Sequence, residues 1–135
     1  MIAPLQRALI AAELPVLKAH GLSMWGYAVL SVLDSEPVRT QAALAEFIGA
    51  DKSRIIGVLD ELEDSGLLQR TRDPADRRAR LLAITDEGRR RRQAAQADIQ
   101  RNEDRLLGRL PLDDRAAFLR ALHLLSTEIP QPPRH

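Results

Sequence analysis

Residues 67–85 read LLQRTRDPADRRARLLAIT, and this stretch decides the fold. Leu67 to Arg72 and Arg80 to Thr85 are short runs free of glycine and proline, and they read as two strands. Between them Asp73-Pro74-Ala75-Asp76 is a strong turn signal. Aspartate side chains bond nearby backbone, and proline pre-sets φ for a turn. On the N-terminal side Gly66 stops a helix whose Ile55, Val58, Leu59 and Leu62 make one apolar stripe, with Asp51 as its cap. Before that helix lies a shorter one, Gln41 to Ile48, capped by Thr40 and closed by Gly49. Two short helices joined by a tight glycine-containing turn make a helix-turn-helix. A basic hairpin directly after it is a wing.

Further out, the pattern is helical on both sides. Ser23 caps a helix with Met24, Ala28, Val29, Val32 and Leu33 at the 3.6-residue period, and Asp34 through Pro37 forms the turn after it. Pro4 opens a first helix, Pro15 breaks or kinks it, and Gly21 ends the segment. Past the hairpin, Thr85 caps a helix with Asp86 and Glu87 favoured at its positive end, running to about Leu110. Pro111 opens the last helix, striped by Phe118, Leu119, Leu122, Leu125 and Ile129. The expected class is therefore mainly α with a small β-hairpin wing (α+β), a winged helix-turn-helix core flanked by N- and C-terminal helices. Residues 130–135 read as a disordered, proline-rich tail.

The chain has 135 residues, 44% of them apolar and 29% charged, which is one domain of ordinary globular composition. No apolar run approaches the roughly 18–20 residues of a membrane span. The N-terminal stretch lacks a basic start and carries Glu13, unlike a secretory signal. Cysteine is absent, which removes disulfides, thiol switches and cysteine-ligated zinc. A cytoplasmic address is expected. The net charge of +1 hides an asymmetry. From Arg70 to Arg92 nine arginines face four acids, giving that segment +5 and leaving −4 for the rest. Such a concentration suits a polyanion.

At this point the chain resembles the MarR family of winged-helix transcriptional regulators. Residues 76–88, DRRARLLAITDEG, resemble the family's wing signature: Asp-x-Arg, an apolar strand, then Thr with a glycine three residues on. Leu44-Ala45 with Gly49, and Leu62 with Gly66-Leu67, match in order and spacing. The similarity covers roughly residues 22 to 88. It implies a homodimer whose terminal helices interdigitate, and hence a palindromic double-stranded DNA operator. The terminal stripes point to a partner subunit independently, because a short chain has little of its own to cover them. The organisation expected is residues 1–21 as an N-terminal dimerisation helix, 22–88 as the DNA-binding region, 89–129 as C-terminal dimerisation helices and 130–135 as the tail.

The N-terminal part of the second helix of such a motif meets base edges. With the apolar stripe inward, Ser53, Gly57, Asp60 and Asp64 point outward, flanked by Arg54 and Ile56. Ser53 and Arg54 are the base-contact candidates, arginine being able to grip guanine bidentately. Lys52, Thr40 and Gln41 suit phosphates, although Thr40 serves equally well as a pure cap. Ile56 and Gly57 depart from the family pattern that the resemblance implies, which usually has threonine and a basic residue there. Gly57 removes a contact or permits a close approach. Arg77 and Arg78 sit where the hairpin tip meets the minor groove. The resemblance makes Arg78 the inserting residue and has Asp76 pair with an arginine to hold the tip. Arg72 and Arg80 are phosphate candidates. The Arg89–Arg92 run reads as a solvated face with long-range attraction for DNA.

The resemblance also implies a small, aromatic effector, with His20, Met24, Trp25 and Tyr27 as the ligand-binding candidates. Trp25 and Tyr27 are as readily core or interface residues. No cofactor, metal or membrane partner is expected. The three histidines are scattered and no catalytic motif occurs, so the chain is not expected to be an enzyme. The expected function is a ligand-responsive, sequence-specific DNA-binding repressor. The alternative is a winged-helix protein-interaction module with weak or lost DNA binding, to which Gly57 and the acidic end of the second helix would fit.

Overall fold

Four helices begin where a short polar side chain turns back on the first helical N–H groups, satisfying donors that the helix cannot. In the computed structural model, which describes residues 1–36 and 39–129, Ser23 Oγ accepts from the Gly26 N–H at 3.0 Å and Thr40 Oγ1 from Ala43 at 3.2 Å. Asp51 Oδ1 accepts from Arg54 at 2.8 Å and Thr85 Oγ1 from Gly88 at 3.0 Å. These caps open α2 (Met24–Ser35), α3 (Gln41–Ile48), α4 (Lys52–Asp64) and α5 (Asp86–Leu107). The remaining helices are α1 (Ile2–Ala19) and α6 (Leu112–Glu128), the latter entered through Pro111. Gly49, at φ 75°, takes the left-handed conformation that reverses the chain between α3 and α4.

The strands are β1 (Arg39–Thr40), β2 (Leu68–Arg72) and β3 (Arg80–Ile84), in the antiparallel order β1-β3-β2. The hairpin register pairs Leu68 with Ile84 and Arg72 with Arg80, and β1 sets Arg39 opposite Leu82. Leu82 on the central strand is fully buried. It joins Leu68, Leu67, Val29, Leu30, Leu33, Leu44, Ile55 and Leu59 in one core, which α5 closes with Ala95 and Ile99 and α1 with Leu17. The periodic stripes of α2, α3 and α4 all converge there.

Several boundaries differ from the sequence reading. Pro15 does not break α1, which runs through it uninterrupted. The residue is exposed, so water can serve the carbonyl that its missing N–H leaves unpaired. Asp34 belongs to the last turn of α2, not to a turn after it; Pro37 lies outside the described residues, as does the tail at 130–135. The helix after the wing ends at Leu107, before Gly108, three residues short of expectation. Strand β1 was not anticipated: two residues carry no periodicity, and only the exposed edge of β3 creates it.

The terminal helices are the uncovered part. No residue of α6 is buried, and Leu17 is the one buried residue of α1. Among the described residues no single helix is long and apolar enough to cross a membrane.

Candidate nucleic-acid interface

The start of α4 is held by Asp51, whose Oδ1 takes both the Arg54 N–H and the Ser53 hydroxyl, each at 2.8 Å. The backbone N–H first, and the hydroxyl second, hold this carboxyl below its ordinary range. Ser53 is thus exposed but already donating to the cap. Ile55, Leu59 and Leu62 face the core as expected, and Gly57 lies open, with nothing within 4 Å of where a Cβ would stand. The two flanks of the helix diverge. Lys52 and Ile56 turn toward the wing and share a groove of about 520 Å³ with Thr40, Gln41, Arg78 and Arg80. Arg54 turns the other way, its guanidinium carbon 5.7 Å from the centre of the Trp25 ring.

The wing tip is a self-bonded turn. Asp73 Oδ1 accepts from the Ala75 N–H at 2.9 Å, the Ala79 N–H donates to the Asp76 carbonyl at 3.0 Å, and the Asp73 N–H donates to the Ala79 carbonyl at 3.2 Å. Asp76 accepts the Arg78 backbone N–H at 3.0 Å. This corrects the expectation of an arginine partner: among the described residues Asp76 holds backbone, and shapes the tip by an Asx turn.

The nine arginines divide into two groups. Arg70 donates through Nη2 to Asp60 at 2.5 Å and to Glu63 at 2.9 Å. The bond from Arg70 lowers the Glu63 carboxyl from its ordinary range, and Glu63, with Asp60, raises the Arg70 guanidinium. The acidic end of α4 is therefore a clamp on β2. Arg89 and Arg92 both reach Asp34 of α2, at 3.0 and 2.8 Å. Arg90 and Arg91 reach Glu87, at 2.7 and 3.5 Å, and Arg90 foremost depresses the Glu87 carboxyl. The run 89–92 thus divides: Arg89 and Arg92 tie α5 to α2 through Asp34, which corrects the solvated reading for them, while Arg90 and Arg91 pair with Glu87 along α5, with Arg90 on its exposed face. What remains is Arg72, Arg77, Arg78 and Arg80, all exposed and all without an acidic partner among the described residues. All four lie on the hairpin.

The candidate ligand residues are placed apart in role. His20, at the end of α1, has Nε2 2.6 Å from Asp98 Oδ2 on α5, and Asp98 is also paired with Arg101. Met24, Trp25 and Tyr27 are half-buried and pack on the core. The shallow depression at His20 is lined by Gly21, Glu87, Arg90 and Arg91 and not by those three. No group of three or more metal-ligating side chains occurs among the described residues. Sequence reasoning missed Arg70 and Asp34 as organisers of the site. The one available signal was Asp60 and Glu63, three apart on one helical face.

The MarR family profile matches residues 22–79. The transcriptional regulator HosA of Escherichia coli O111:H- is 32% identical over 93 residues, which are 69% of each chain. The transcriptional repressor CouR bound to a 23-mer DNA duplex superposes with a TM-score of 0.78 at 33% identity, covering 93% of this chain and 89% of its own. CouR from Rhodococcus jostii RHA1 bound to p-coumaroyl-CoA gives 0.73 at 32% identity, covering 97% of this chain and 91% of that one.

Proposed function

Because the chain belongs to the MarR family of transcriptional regulators, we propose that it binds double-stranded DNA as a homodimer and represses transcription until a small effector releases it. The observation that carries the reading is the sorting of the arginines. Five of the nine are paired with carboxylates of the same chain, and the four left over stand on the wing, where Arg78 and Arg80 face Lys52, Thr40 and Gln41 across a groove. Unpaired arginine is what phosphate and a narrow minor groove attract. Arg78 enters the minor groove in this reading, Arg77, Arg72 and Arg80 hold flanking phosphates, and α4 lies in the major groove with Ser53, Arg54 and Gly57 toward the bases. Asp76 keeps the tip in shape.

In the same reading α1, α6 and the far part of α5 make the two-fold contact, which sets an operator of two half-sites. CouR, seen with p-coumaroyl-CoA, supports an aromatic effector, received near His20 and the first turn of α2, where Met24, Trp25 and Tyr27 lie. Action by binding in the cytoplasm, without catalysis, completes the proposal.

The test is fluorescence-anisotropy binding to the intergenic DNA upstream of the chain's own gene and to a duplex selected from a random pool, at two salt concentrations, with Arg78→Ala alongside. Tight, salt-steep binding weakened by Arg78→Ala is expected. Enrichment of no sequence, with the variant indistinguishable from wild type, would make this a winged helix that no longer reads DNA.

A further inference from the structure

The contact between Arg54 and Trp25 joins the start of α4 to the first turn of α2. Arg54 is exposed at its helix surface, whereas Trp25, the sole tryptophan of the chain, is half-buried and packed on the core. The guanidinium lies over the ring at 5.7 Å, within the range at which a cation is drawn to an aromatic face. A guanidinium stacked on an aromatic face leaves its N–H donors, which lie in its plane, unspent. In the described hydrogen bonds Arg54 commits its backbone N–H to Asp51 and none of its side-chain donors. An arginine with free in-plane donors, anchored on a rigid ring, loses less rotamer freedom when it forms a bidentate bond.

We propose that Trp25 is a positioning residue for DNA reading, holding Arg54 beside α4 so that its fork meets a guanine edge with little further ordering. The inference rests on the DNA-binding reading above. It assigns specificity to a residue of α2 that lies outside the helix-turn-helix and the wing. Val58 and Glu61 follow Arg54 along the flank of α4 that borders Ser23 and Gly26, so this side of the helix is built against α2 and not against the wing. Readout by Arg54 is thereby coupled to the placement of α2, while Lys52 and Ile56 are coupled to the wing.

The experiment is a double-mutant cycle of Trp25→Leu and Arg54→Ala, read as the ratio of affinities for a duplex selected by the wild-type protein and for random duplex. Trp25→Leu is expected to lower that ratio roughly three- to fivefold, the size of an exposed cation–π contact. In the Arg54→Ala background it should lower the ratio no further. Trp25→Phe, which fills the core position and keeps a weaker π face, should fall between, and it carries the cycle if the leucine variant does not fold. Emission from the single tryptophan should also change in the free protein on Arg54→Ala. Equal weakening on selected and random duplex, or an additive cycle, overturns the proposal alone. Failure of the wild-type protein to enrich any sequence overturns it together with the DNA-binding reading.

Discussion

Gly88 sets how closely α5 approaches the hairpin. A Cβ there would stand 2.1 Å from the Leu67 carbonyl oxygen, and that oxygen already receives the Thr85 N–H at 3.1 Å. Thr85 Oγ1 donates to the Gly66 carbonyl at 2.7 Å beside it. Gly88→Ala is therefore expected to cost about 1–3 kcal/mol by overpacking, measured by urea unfolding. Gly57 is the opposite case, a helical glycine facing open space. Gly57→Ala should add about 0.5–1 kcal/mol by the same measurement. Glu13 belongs to this scale as well. Burial first, and Glu103 second, raise its carboxyl above the ordinary 4.5. The neutral form then favours the fold, a contribution that is full below 4.5 and lost as pH rises through the raised value. Glu13→Gln should therefore gain stability over wild type as pH climbs through that window, and the gain should level off above it. A difference that stays flat across the window would show that Glu13 is not strained by ionisation.

At the scale of elements, α4 and the hairpin behave as one unit because Arg70 clamps the acidic end of the helix to β2. The pair is partly exposed and contributes no more than about 1 kcal/mol. Its larger effect is electrostatic, since one guanidinium offsets two carboxylates at the acidic end of α4. The salt dependence of DNA binding should separate the two classes of arginine. Arg77→Ala or Arg78→Ala should each lower the log–log salt slope by about 1, the amount of one cation lost from the duplex surface. Arg90→Ala, which removes a residue already paired with Glu87, should leave the slope unchanged. Equal slopes for the wing variants and wild type would remove the wing from the interface. The caps at Ser23, Thr40, Asp51 and Thr85 were legible in the sequence because each joins residues three apart. Arg70 was not, because Asp60 and Glu63 meet it only once the strand register is set.

The whole molecule has a covered half and an uncovered half. The core gathers α2, α3, α4 and the sheet, whereas Phe118, Leu119, Leu122 and Leu125 on α6 are 37%, 43%, 45% and 50% exposed, with Leu5, Ile10 and Leu14 open on α1. An apolar surface of that extent on two helices calls for a partner. Analytical ultracentrifugation is expected to give twice the chain mass of 15.1 kDa. Leu122→Asp should return the protein to a monomer and weaken operator binding sharply, because two half-sites are then no longer held together. A wild-type protein that sediments as a monomer would contradict the two-fold arrangement.

Legible in the residues alone were the four capped helix starts, the glycine reversal at Gly49, the hairpin and its acidic turn, and the concentration of arginine between residues 70 and 92; the start of α1 at Ile2, ahead of Pro4, was not. Each of these rests on neighbours within a few residues, where backbone chemistry and periodicity act directly. The tertiary structure decided which arginines are free. Pairing depends on residues separated by up to 58 positions, as in Arg92 with Asp34, and packing alone brings them within hydrogen-bond distance. It likewise turned Arg54 toward Trp25 and Lys52 toward the wing, from the same turn of one helix, because the two flanks of α4 meet different elements.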